Sequence, residues 1–160
     1  MRFVRGEREL QGITVADGEA GRGIYFCLER NLPMVIYYLK DACRSIVAIP
    51  KKECYIVDLT TTEMSTRLLY FTKEQVEILV AKMGPYFKKP SVNRVNIHKF
   101  PIHINSFIEQ CCPKADAYIV NHYGVGIPGG KQLVVRNMDA FDVEDVPTDD
   151  YWLILQQRRR

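Results

Sequence analysis

Hydrophobic positions change their period several times along the chain, and each change marks an element. Val76, Leu79, Val80 and Met83 fall at i, i+3, i+4 and i+7, the stripe of one helix face. Thr72-Lys73-Glu74-Gln75 precedes them as a capping box, the Thr72 hydroxyl accepting from the Gln75 N–H, and Gly84-Pro85 follows as a stop. A second helix is predicted from Asn31 to about Cys43. Asn31 caps it, Pro33 sits in its first turn, and Val35, Ile36, Leu39 and Cys43 share a face. A short third begins at Ser106, with Glu109 completing a box, and ends at Cys112-Pro113. Between the helices lie short β-branched or aromatic runs: Gly23 to Cys27, Ser45 to Ile49, Cys54 to Leu59, Ala117 to Asn121 and Gln132 to Arg136. The last two are separated by the loop Gly124 to Gly130, with four glycines and one proline.

Strands and helices are segregated rather than alternating, which predicts an α+β fold with a largely antiparallel sheet. Residues 1–143 read as one domain. Residues 144–151 read as an acidic spacer, Trp152 to Leu155 as a strand-like apolar segment, and Arg158-Arg159-Arg160 as a solvated tail.

Composition narrows the function classes. The 160 residues carry 22 basic and 19 acidic side chains, so without the three terminal arginines the domain is near neutral, unlike a dedicated DNA binder. No apolar run approaches the roughly 20 residues of a membrane helix. Five cysteines with no Cys-x-x-Cys spacing, and no signal-peptide core behind Met1, predict free thiols in a reducing, cytoplasmic setting. His98, His103 and His122 are scattered, so no metal site is expected.

Gly21-Arg22-Gly23-Ile24-Tyr25-Phe26-Cys27 is the segment richest in chemistry. It enters a strand rather than a helix and lacks the third glycine of a dinucleotide fingerprint. On residue type alone, Tyr25 and Phe26 are core aromatics. The block, followed by Tyr37-Tyr38 in a helix, resembles the central block of the ADP-ribosyltransferases of the poly(ADP-ribose) polymerase and diphtheria-toxin branch. Val4-Arg5-Gly6 resembles that superfamily's first strand, and Gly129 to Asn137 resembles the late strand that opens with a catalytic glutamate. The matching order runs from residue 3 to about 143.

The resemblance implies a split antiparallel β-sheet sandwich that binds NAD as substrate. It implies transfer of ADP-ribose to a macromolecular acceptor, a protein or a nucleic acid with protein favoured, as in small phage, toxin or effector members. Gly6 would meet the nicotinamide carboxamide with its backbone, and Arg5 the adenosine ribose or the diphosphate. Tyr25 and Tyr37 would sandwich the nicotinamide ring, with Tyr38 replacing Tyr37 if the register shifts by one. Gly23 and Phe26 belong to the same cofactor block, and His122 is a ribose contact or general base.

Gln132 stands where the glutamate is expected, and Met34 where a carboxamide-binding serine is expected. An amide still orients a ribose hydroxyl, but it sets no negative charge beside an oxocarbenium-like cation. Losing one such contact typically costs about 2.7–4 kcal/mol. Asp116, Asp139 and Asp58 are substitute acids, and the alternative function is a non-catalytic NAD- or partner-binding protein.

Overall fold

The structure of the chain is a computed structural model, and it describes residues 1–18, 20–58, 69–70, 94–95, 108–109, 112–122 and 128–158. The predicted helix over 72–83, most of the third helix and the centre of the glycine loop lie outside the described residues. The rest is a mixed α/β fold built on one curled sheet and two helices.

The strands are β1 (Phe3–Glu7), β2 (Ala16–Gly18), β3 (Gly21–Leu28), β4 (Arg44–Pro50), β5 (Ile56–Asp58), β6 (Leu69–Tyr70), β7 (Arg94–Val95), β8 (Ala117–His122), β9 (Gly130–Val135) and β10 (Phe141–Pro147). The helices are α1 (Leu32–Leu39) and α2 (Thr148–Arg158). The main sheet runs β10-β4-β1-β3-β9-β8-β5, with β2 hairpinned onto β3, and β6 pairs with β7 apart from it. Pairing in the main sheet is antiparallel except between β5 and β8.

Burial separates the two faces of the curled sheet. Phe141 of β10 and Ile119 of β8 share one apolar cluster with Phe3, Phe26, Ile46 and Leu133. Five strand steps separate β10 from β8, about 24 Å in a flat sheet at ~4.8 Å per step. The cluster runs from neighbour to neighbour across that span on the face opposite the helices, the concave face of the curled sheet. The other face carries Val4, Cys27 and Val47 against Met34, Val35 and Leu39 of α1 and Tyr151 and Leu155 of α2.

Three sequence expectations need correction. Helix α1 ends at Leu39, where Lys40 caps it and Asp41 takes a positive φ of 61°, so Cys43 lies beyond it. Its buried side chains are Met34, Val35 and Leu39, whereas Ile36 is 55% exposed. Residues 144–147 are no spacer: they complete β10, which pairs with β4 from Phe141↔Pro50 to Pro147↔Arg44. Trp152 to Leu155 belong to a helix, since Thr148, Tyr151 and Leu155 are its buried positions at i, i+3 and i+7. Asp149 and Asp150 in its first turn and Arg158 in its last complement the helix dipole.

Candidate functional site

Two neighbouring strands part company in the middle of the sheet. β1 and β3 pair only at Phe3↔Leu28 and Val4↔Cys27. Beyond that point β1 stays on β4 to Glu7↔Arg44, and β3 stays on β9 as far as Ile24↔Val135. The residues past the split alternate between the two faces. Val4 and Cys27 face the helices, so Gly6 and Tyr25 do so too. Gln132 lies directly across from Cys27 and shares that face.

Helix α1 covers this ground. Tyr38 is the inward tyrosine, and its hydroxyl accepts a hydrogen bond from Gln132 Nε2 at 2.7 Å. Burial pushes the Tyr38 phenol well above its ordinary value, while the Gln132 bond and the Arg5 charge pull against that. Among the described residues nothing donates to Gln132 Oε1, which stays free to accept. Tyr37 is 45% exposed and tilted 60° to the Tyr38 ring at a 6.3 Å centroid distance. The helical period decides between them: Met34, Val35, Tyr38 and Leu39 form the inner face, and Tyr37 falls off it.

Gly6 is held close to that helix. A Cβ there would collide with the Tyr38 carbonyl oxygen and come within 2.6 Å of the Ala42 Cβ. A cavity of about 390 Å³ opens beside it, lined by Gly6, Arg8, Tyr37, Tyr38, Lys40 and Asp41. That volume falls within the ~300–1,000 Å³ of small-molecule sites.

The structure distributes the remaining candidates elsewhere. Tyr25 belongs to the β2–β3 hairpin: its hydroxyl donates to the Gly21 carbonyl at 2.5 Å and accepts from the Ala20 N–H at 3.1 Å. Gly23 needs its missing side chain for strand packing, since a Cβ would lie 2.5 Å from Val134 Cγ1. Phe26 is fully buried in the concave core. Arg5 lies on that concave face as well. Its Nη2 pairs with Glu7 Oε1 at 2.9 Å, its Nη1 donates to the Tyr25 carbonyl at 3.2 Å, and its guanidinium carbon sits 5.9 Å from the Phe26 ring centroid.

Asp116 is four residues before Val120, the β8 partner of Gln132, and so about 13 Å from it along the strand. Its carboxylate is spent on the Tyr55 N–H at 2.8 Å and the Asn137 side-chain amide at 3.0 Å. Asp139 lies in a 3₁₀ turn, Met138–Ala140, that precedes β10. Asp58 closes β5 beside Ile119. His122 places its backbone opposite Gly130, and its side chain lies outside the described residues.

The sequence reading passed over Asn31 as a site residue. Its Oδ1 accepts from the Met34 N–H at 3.4 Å as the α1 cap, and its Nδ2 donates to the Gly129 carbonyl at 3.2 Å. It thereby ties the helix to the segment that leads into Gln132. The Asn-x-Pro start signalled the cap, but no local pattern signalled the partner 98 residues away.

No group of three metal-ligating side chains and no helix long and apolar enough to cross a membrane occurs among the described residues. Comparison of the chain with protein-family models, curated proteins and solved structures returns no match.

Proposed function

We propose that this chain is an ADP-ribosyltransferase-like protein that binds NAD on the helix-facing side of the β1–β3 split. In that reading the fold is a split antiparallel sandwich. The observation that carries it is the meeting of Gly6, Tyr38 and Gln132 on one face, with the Gln132 amide bonded to the Tyr38 hydroxyl. The nicotinamide occupies the cavity that opens beside Gly6, Tyr37 and Tyr38, where stacking on a tyrosine ring adds about 0.5–1.5 kcal/mol beyond burial. Tyr25 closes the site from the hairpin.

Gln132 Oε1 accepts from the 2′-hydroxyl of the nicotinamide ribose. Breaking the nicotinamide–ribose bond releases neutral nicotinamide and leaves an oxocarbenium-like ADP-ribosyl group. A nucleophile of the acceptor, a protein in preference to a nucleic acid, then attacks it. The amide orients the ribose without offering full negative charge, so turnover is slow.

A second reading is a protein that binds NAD and does not turn it over. It is favoured by the side chains themselves: Val4, Tyr25, Cys27, Gln132 and Val134, with glycines at the remaining helix-facing positions of β1, β3 and β9, include no carboxylate.

Thermal melting and nicotinamide release separate these outcomes. Saturating NAD raises the melting temperature, since about 2.7 kcal/mol accrues at a hundredfold excess over Kd. Gln132→Glu raises nicotinamide release at least about tenfold over wild type, as one charge contact in a dry site is worth a few kcal/mol. A shift with no release from either protein leaves the binding reading. No shift at millimolar NAD rejects both.

A further inference from the structure

The resemblance to ADP-ribosyltransferases assigns Arg5 to the ligand, but the split between β1 and β3 gives its guanidinium other work. It lies on the concave face, 89% buried by its side-chain exposure of 11%. One terminal nitrogen crosses the split to the Tyr25 backbone carbonyl, and the other pairs with Glu7 on its own strand. Glu7 is 3% exposed and accepts twice more, from the Thr14 N–H at 2.8 Å and the Thr14 hydroxyl at 2.9 Å. Phe26, next along β3, lies beneath the guanidinium plane. The ladder that would normally join β1 to β3 here is absent: their pairing stops at Val4↔Cys27. A planar fork with fixed donor directions is the side chain suited to replace it.

We infer that Arg5 is a positioning residue: with Glu7 and Thr14 it clasps β1 to β3 across the split and so fixes the separation of Gly6 from Tyr25. This rests on the reading of that split as the nicotinamide site, but the clasp itself is measurable without ligand. Gly6 follows Arg5 on β1 and the acceptor carbonyl is Tyr25's own, so a change in the fork is felt by the backbone that lines the site. The Glu7 side chain and Thr14 reach the Tyr25 backbone through the Arg5 guanidinium. The burial of Glu7 is tolerated because its two oxygens take three donors, two of them neutral and one a cation. The Arg5 Nε has no partner, so the clasp has no spare bond with which to compensate a lost one.

Three variants of the full chain test this: Arg5→Lys, which keeps charge and loses the fork, Glu7→Gln, and Thr14→Val. Amide hydrogen exchange is followed at residues 5–7 and 24–26, and affinity is measured for NAD and for free nicotinamide. The clasp predicts exchange at least about tenfold faster at both segments in all three variants, with core segments that touch neither strand, such as residues 118–120, unchanged. It also predicts similar losses, about tenfold, for NAD and for nicotinamide, which carries no phosphate.

Unchanged exchange in the variants that fold overturns the clasp. So does a loss confined to Arg5→Lys and to NAD, the signature of a direct guanidinium–phosphate contact. If Arg5→Lys or Glu7→Gln does not fold, Thr14→Val decides, since it removes one hydroxyl and keeps the charges. Wild type that binds neither ligand rejects the nicotinamide site, and the exchange rates still judge the clasp.

Discussion

Cys27 shows how a single residue reports on the packing behind the site. It faces α1 and α2, lies across from Gln132 and is fully buried. Burial pushes its thiol from 9.0 up to about 12. A raised acid pKa means that the folded state keeps a proton the unfolded chain releases. The stabilisation is therefore complete below about pH 9 and is lost as pH climbs towards 12. One such group gives a slope of at most ~1.4 kcal/mol per pH unit. Cys27→Ala lowers stability by about 1 kcal/mol at pH 7 and flattens the decline from pH 9 to 10 measured in urea. Cys54 and the buried tyrosines Tyr38, Tyr118 and Tyr151, each raised by its own burial, keep a residual slope in the variant. An equal slope in wild type and variant would place the buried ionisation elsewhere. At this scale the sequence was informative about residue types and uninformative about faces. Tyr37 and Tyr38 are identical letters, and only the phase of α1 against the sheet sends Tyr38 to Gln132 and leaves Tyr37 exposed. Arg5 reads in the sequence as a ligand-facing cation, whereas its partners Glu7 and Thr14 follow from the parting of two strands, which no local pattern encodes.

Among the elements, the strands with β-branched runs were legible because side chains buried on both faces leave continuous apolar words: Ser45 to Ile49 sits in β4, and Leu133 to Val135 in β9. Their order in the sheet was not, since β1 lies between β3 and β4, and β9 joins β3 from more than a hundred residues away. The C-terminal helix was misread because Trp-Leu-Ile-Leu fits either period over so short a run. Pro147, Thr148 and the two aspartates after it were the better signal. Helix α1 was read correctly at its start, where Asn31 serves two elements at once. Its two bonds can be separated by substitution. Asn31→Ala removes both and costs about 1 kcal/mol, the usual worth of a cap. Asn31→Asp keeps the acceptor for the Met34 N–H and loses the donor to Gly129. The expected outcome is near-native melting for Asn31→Asp, with faster amide exchange over residues 129–132 in both variants. Protected amides in Asn31→Asp would mean that β9 holds Gln132 without help from α1.

Over the whole molecule, residues 141–158 belong to the fold rather than trailing from it. β10 closes one side of the sheet on β4 through seven paired residues, four of them beyond Val143. Arg44 reinforces that seam through a bidentate pair with Asp145, at 3.1 and 2.6 Å. Helix α2 then lays Tyr151 and Leu155 over Val4, Cys27 and Val47, beside α1. The Tyr151 hydroxyl donates to Glu29 Oε2 at 3.0 Å, and Arg158 pairs with Glu29 Oε1 at 2.8 Å, so α2 is anchored to the turn between β3 and α1. This turn feeds α1 and thereby sets the height of Tyr38 over Gln132. Both helices therefore press on the same side of the sheet, and removing one exposes the apolar face that the other leaves uncovered. Tyr151→Ala takes away a 1%-exposed aromatic ring and strands the Glu29 carboxylate with Arg158 and Arg2. Burial of that size is worth about 3–5 kcal/mol, on the order of 10 °C in melting temperature for a chain of this length. Ending the chain at Val143 removes Tyr151 and Leu155 together with half of the β10 ladder. That product is expected to be unfolded by near-ultraviolet circular dichroism and rapid proteolysis. A 1–143 chain that melts cooperatively at the wild-type temperature would show instead that β1 to β9 and α1 are self-sufficient and that α2 only decorates them.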